Sequence, residues 1–213
     1  MTELVFILDR SGSMSGREQD TIGGFNAMIE KQKQEAGEAL VSTVLFDDRM
    51  EVVHDRVPIE QVKPLTEKEY YARGSTALLD AVGRAIRHIG IIHKYARRED
   101  VPEKTLFIIT TDGMENASCE YDYDMVKKRI ERQQTKYGWE FLFLGANIDA
   151  AKEAGRFGIA PSRAVDFNND AKGIALNYTV LNETISNVRM GNDINESWKD
   201  SIDEDIRIRG RNW

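Results

Sequence analysis

At 213 residues and 41% hydrophobic side chains, the chain can bury a core without staples and suits one domain of the usual range of about 50–250 residues. Its 36 acids against 29 bases leave a net charge of −7, which disfavours a protein that grips nucleic acid through nonspecific phosphate contacts. A lone cysteine, Cys119, excludes an intrachain disulfide framework and a cysteine-rich zinc site, and no apolar run approaches the roughly 18 residues of a membrane span.

Met1 leads directly into an acidic residue and a strand-like run, not into a secretory signal, so the expected home is the reducing cytoplasm. The segment Glu3–Asp9 is apolar almost throughout and ends in Asp-x-Ser-Gly-Ser. It reads as a central strand buried on both faces and followed by a loop. From Arg17 to Ala36, Ile22, Phe25, Met28 and Ile29 recur at the spacing of one helical face. Leu40–Phe46 and Met50–Val57 flank Asp47-Asp48-Arg49, which predicts an antiparallel hairpin. Ala77–Tyr95 repeats the helical pattern, and Lys104–Thr111 is a second buried strand, running into Thr-Thr-Asp-Gly. Asp122–Tyr137 predicts a charged amphipathic helix, Trp139–Leu144 a strand, Ala150–Phe157 a short helix and Ala164–Phe167 a weak sixth strand. Lys172–Arg189 is helical with Ile174, Leu181, Ile185 and Val188 on one face. The polar stretch Asn192–Trp213 predicts a tail that is loosely held or ordered by a partner.

This alternation predicts an α/β fold: a doubly wound, Rossmann-like, mostly parallel six-stranded sheet with one antiparallel edge strand and helices on both faces. Residues 1–170 form the expected domain, and residues 171–213 a C-terminal helix and polar tail packed on it or extending it.

Three distant segments supply small oxygen donors: Asp9, Ser11 and Ser13; Thr76 within Arg-Gly-Ser-Thr; and Asp112. Asp9 and Asp112 lie at or just beyond predicted strand ends. In a doubly wound sheet such ends share one edge, where a crevice opens for ligands. Hydroxyls with one or two carboxylates suit a hard divalent cation such as Mg²⁺, which prefers six oxygens and keeps some of its water.

The set resembles the metal-ion-dependent adhesion site of von Willebrand factor A domains, whose pattern is Asp-x-Ser-x-Ser, a distant Thr and a distant Asp. All five positions are present, and the likeness covers roughly residues 3–167. The resemblance implies that Ser11, Ser13 and Thr76 coordinate Mg²⁺ (or Mn²⁺ or Ca²⁺) directly, and Asp9 and Asp112 directly or through water. It also implies that the open ion takes an Asp or Glu from a protein partner, without catalysis; no membrane is expected, because no apolar run is long enough to span one. Met14, Tyr70, Tyr71, Arg73, Met114, Glu115 and Asn116 are expected to form a rim that selects this partner.

Other readings of these residues are weaker. Thr76 also suits a helix cap. A haloacid-dehalogenase-type phosphatase would need a second Asp where Ser11 stands, and a serine-hydrolase elbow a serine where Met14 stands. His54, His88 and His93 lack zinc-motif spacing. A metal-assisted hydrolase would need a general base, for which Glu115 is the one obvious candidate. A scaffold whose metal is structural or vestigial is the remaining alternative.

Overall fold

The computed structural model describes residues 1–211, so Asn212 and Trp213 of the expected tail lie outside the described residues. Six strands, β1 (Thr2–Asp9), β2 (Ala39–Phe46), β3 (Met50–Pro58), β4 (Lys104–Thr111), β5 (Glu140–Gly145) and β6 (Ala164–Asp166), form one sheet in the order β3-β2-β1-β4-β5-β6. All neighbours are parallel except β2 and β3, the hairpin expected around Asp47. The fold class read from the sequence is the one observed.

The order follows from which strands are apolar on both faces. In β1, Leu4, Phe6 and Leu8 enter one core and Val5 and Ile7 the other, so β1 needs a helical layer on each side. Helices α1 (Glu18–Gln32) and α5 (Ala171–Arg189) cover the first face. Helices α2 (Leu78–Tyr95), α3 (Tyr123–Tyr137) and α4 (Ala150–Arg156) cover the second. The α3 boundaries are local chemistry: the Asp122 side chain accepts from the Met125 N–H at the start, and Gly138, at φ 67°, ends the helix in the left-handed region.

The chain winds outward from β1 to β2 and β3, then returns to lay β4, β5 and β6 on the other side of β1. This reversal falls between β1 and β4, and it opens the crevice at their carboxyl ends. Asp9 is the last residue of β1, and Asp112 follows the last residue of β4.

Helices α1 and α5 approach closely because Gly24 has no side chain: a Cβ there would lie 2.2 Å from Cδ2 of Tyr178. Gly24→Ala is therefore expected to cost about 1–3 kcal/mol as the helices move apart, seen as a lower urea midpoint. An unchanged midpoint would mean that Tyr178 swings aside freely.

The tail is docked on the domain rather than loosely held. Residues 200–209 form a further helix, α6 (Asp200–Arg209), which buries Ile202 against the α1/α5 core. Just before it, Trp198 is buried and its indole N–H donates to the Ser162 carbonyl at 2.8 Å. Arg209 pairs with Asp170 and Asp205, each at 2.5 Å. Such a segment has little apolar periodicity because charge pairs and single anchors hold it, which hydrophobic patterning does not register.

Candidate metal centre

At the end of β1 the chain turns sharply, and the turn is held by Asp9 itself. Its Oδ1 accepts the Ser11 N–H at 2.7 Å, the local bond that Asp favours in turns, and its Oδ2 accepts the Thr111 hydroxyl at 2.6 Å. Tyr70, fully buried, donates its hydroxyl to the Asp9 carbonyl at 2.5 Å. Burial raises the Asp9 carboxyl above the ordinary carboxylate range, and the bonds from Thr111 and Ser11 offset only part of that.

The hydroxyls follow in a line. Ser11 Oγ lies 2.9 Å from Ser13 Oγ, and Ser13 Oγ donates to Asp112 Oδ1 at 2.5 Å. Ser11 is buried and Ser13 exposed, so this line runs from the protein interior to solvent. Thr76 stands beside Gly113. A Cβ built on that glycine would be 3.6 Å from both Ser13 Oγ and Thr76 Oγ1. The loops are joined by Gly12 N–H to the Gly74 carbonyl at 3.1 Å and Arg73 N–H to the Arg10 carbonyl at 2.9 Å. All five residues singled out in the sequence, Asp9, Ser11, Ser13, Thr76 and Asp112, are thus brought together.

Asp112 is buried, and its carboxyl is pushed up to about 6, first by desolvation and further by the charge of Asp9. The two acids receive hydrogen bonds from hydroxyls, a backbone N–H and an amide, and among the described residues no basic side chain bonds to either. Arg10, beside Asp9 in sequence, turns away to Asp47, Glu51 and the Glu69 carbonyl. Two buried acids lacking a positive partner, with neutral hydroxyls leading to solvent, are a donor set that fits a hard cation. Among the described residues no group of three or more His, Cys, Asp or Glu could hold a metal, so hydroxyls would have to complete the ligand shell.

The expected rim divides. Tyr71, Arg73 and Met114 are exposed or nearly so, with Tyr71 under the guanidinium groups of Arg10 and Arg73. Met14 and Tyr70 are core residues. Asn116 positions Thr76, accepting its N–H at Oδ1 and donating its own N–H to its carbonyl. Glu115 accepts from the N–H groups of Leu79, Ala117 and Ser118 and from the Ser118 hydroxyl, which binds it to the start of α2. Thr76 is not the cap of that helix: Ala77 occupies the position.

Two contributors were not singled out in the sequence. Thr111 holds Asp9, and Asn169, between β6 and α5, donates Nδ2 to Asp112 Oδ2 at 2.9 Å. Asn169 follows a third strand end, a position that signals proximity to the crevice, but it lies outside the pattern of hydroxyls and acids.

No family model matches the sequence, and no curated protein matches it significantly. Solved structures do match. Proximal thread matrix protein 1 from the mussel byssus, solved with a zinc-occupied MIDAS motif, aligns with a TM-score of 0.59 at 14% identity over 87% of this chain and 46% of that one. A von Willebrand factor type A protein from Catenulispora acidiphila aligns at 0.55 with 17% identity, over 86% and 42%. The ArnB paralog VWA2 from Sulfolobus acidocaldarius aligns at 0.56 with 17% identity, over 86% and 44%. The chain spans a little under half the length of these three structures. At such identities the likeness establishes the fold, which is the von Willebrand factor A type.

Proposed function

We propose that this chain is a non-enzymatic protein-binding module. In this reading it holds one divalent cation, Mg²⁺ in the first place, among Asp9, Ser11, Ser13, Thr76 and Asp112. The observation that carries the reading is the pair of buried acids without a basic partner, approached from solvent through Ser13. When bound, the cation supplies an electrophilic centre that neutral hydroxyl ligands leave largely unquenched, open to an Asp or Glu of a protein partner.

The chain's own residues do the rest. Asp9 fixes the loop that carries Ser11 and Ser13, Asn116 fixes Thr76, and Ser13 and Asn169 orient Asp112. Tyr71, Arg73 and Met114 provide the surface a partner touches, and Arg73 adds positive charge that suits an acidic segment. Glu115, the general-base candidate read from the sequence, is engaged at the start of α2, which favours binding over hydrolysis. No helix among the described residues is long and apolar enough to cross a membrane. The free, exposed Cys119 suits a reducing cytoplasm, and the net charge of −7 favours a protein partner over nucleic acid.

Calorimetric titration of chelator-stripped protein with Mg²⁺ and Mn²⁺ tests the first half. The second half is read from the water-proton relaxation of protein-bound Mn²⁺ while a glutamate-containing peptide is added. Saturable binding, with relaxation falling as a carboxylate displaces water, is the expected result. Saturable binding with relaxation unmoved would leave a structural metal and a scaffold; no binding at all would remove the cation from the reading.

A further inference from the structure

The donor set has a sixth member that the five-residue pattern does not contain. Asn169 Nδ2 donates to Asp112 Oδ2 at 2.9 Å, while the other oxygen of that acid takes the Ser13 hydroxyl. A carboxylate only accepts, so the amide must face it with its NH₂ end. Its carbonyl is left over: Asn169 Oδ1 is shut off from solvent and has no hydrogen-bond partner. Buried acceptors of this kind are rare in folded proteins, and the contact to Asp112 is what this orientation of the amide preserves.

The backbone around Asn169 is firmly set. Phe167 N–H donates to the Gly145 carbonyl at 3.0 Å, and the Asp170 side chain caps α5 by accepting the Gly173 N–H at 2.8 Å. Gly173 lies so close to the Asn168 carbonyl that a Cβ would sit 2.0 Å from it. Asn169 is thus aimed by scaffold.

We propose that Asn169 is a positioning residue of the cation site, holding Asp112 through Nδ2 at the expense of its own buried Oδ1. This rests on the cation reading above. The role suits an amide: it orients a ligand without adding negative charge, so the ion stays electrophilic.

The test compares wild type, Asn169→Ala and Asn169→Asp by Mg²⁺ calorimetry and by thermal unfolding with chelator and with saturating Mg²⁺. Asn169→Ala is expected to weaken Mg²⁺ binding on the order of 10–100-fold, as for other residues that orient metal ligands, with little change in chelator. Asn169→Asp sets a carboxylate against Asp112, so its melting temperature in chelator should fall and its gain on adding Mg²⁺ should exceed that of wild type. An Asn169→Ala affinity within about twofold of wild type, or an Mg²⁺ gain in Asn169→Asp equal to that of wild type, overturns the proposal; the second readout stands even if the alanine variant does not fold. Wild-type protein that shows no saturable Mg²⁺ binding would sink the cation reading itself, whereas intact wild-type binding with indifferent variants would sink this inference alone.

Discussion

Asp9→Asn is expected to abolish Mg²⁺ binding while leaving the metal-free protein at least as stable as wild type. The asparagine carbonyl can still accept the Ser11 N–H, and the Thr111 hydroxyl can rotate to accept from the new amide, so the turn survives. What disappears is a negative charge that burial already disfavours and that raises the neighbouring Asp112. Wild type at an Mg²⁺ concentration 100-fold above its Kd should gain about 2.7 kcal/mol, a rise of roughly 5–10 °C for a domain of this size. Asp9→Asn should show no rise. Asp9→Ala should lose the metal as well, but also stability, because a buried N–H and hydroxyl lose their acceptor at about 1–3 kcal/mol each. Thermal unfolding of the three proteins, with and without chelator, decides it: a full Mg²⁺ shift in Asp9→Asn would place the cation elsewhere.

The second large effect concerns stability rather than the metal. Arg10 is completely buried, with Nε 2.9 Å from Asp47 Oδ2 and Nη1 2.7 Å from Glu51 Oε2 and 2.6 Å from the Glu69 carbonyl. Asp47 is equally buried and is also held by Arg73 at 2.8 Å. Burial pushes the Asp47 carboxyl up, but the bonds from Arg73, the Arg49 backbone, Asp48 and Arg10 outweigh it and hold it below its ordinary 3.8. Arg10→Ala leaves this acid half-compensated, and breaking such a buried pair typically costs about 3–5 kcal/mol, a melting point lower by roughly 6–20 °C. A depressed carboxyl stabilises above its unfolded pKa, so the wild-type advantage should be full near neutrality. It should shrink as pH falls below 3.8 through the lower folded value. The Asp47 carbonyl accepts the Ala77 N–H at 2.8 Å, and the Arg10 carbonyl accepts the Arg73 N–H, so this network also joins the loops of Ser11 and Thr76. Mg²⁺ affinity in Arg10→Ala should therefore fall together with stability. An unchanged unfolding midpoint would show that the network contributes no net stability.

The rim shows where side-chain roles escape a linear reading. Met14, Tyr70 and Glu115 stand beside the motifs in sequence, but two belong to the core and one binds the start of α2, whereas Asn116 is exposed and also holds the Thr76 backbone. Proximity along the chain marks the loop on which a residue sits, not the direction in which it points. Asn169 is the converse case, more than 50 positions from any of the five residues yet bonded to Asp112.

The sequence by itself determined the layering, the hairpin edge and the meeting of the strand ends that carry Asp9 and Asp112, while Thr76 joined them through the family resemblance. The first three follow from short-range signals: runs apolar on both faces for the inner strands, 3.6-residue stripes for the helices, and turn-forming Asp, Ser and Gly at the strand ends. Once those elements are laid in a doubly wound sheet, the carboxyl ends of β1 and β4 meet with no further instruction. Only the tertiary structure decided that Arg10 is buried away from Asp9, that Asn169 completes the contacts of Asp112, and that residues 200–209 form a docked helix. These depend on hydrogen bonds and ion pairs between segments far apart in the chain. Polar pairing leaves no period in a sequence, because a charged residue reads alike whether it faces water or a partner that folding brings to it.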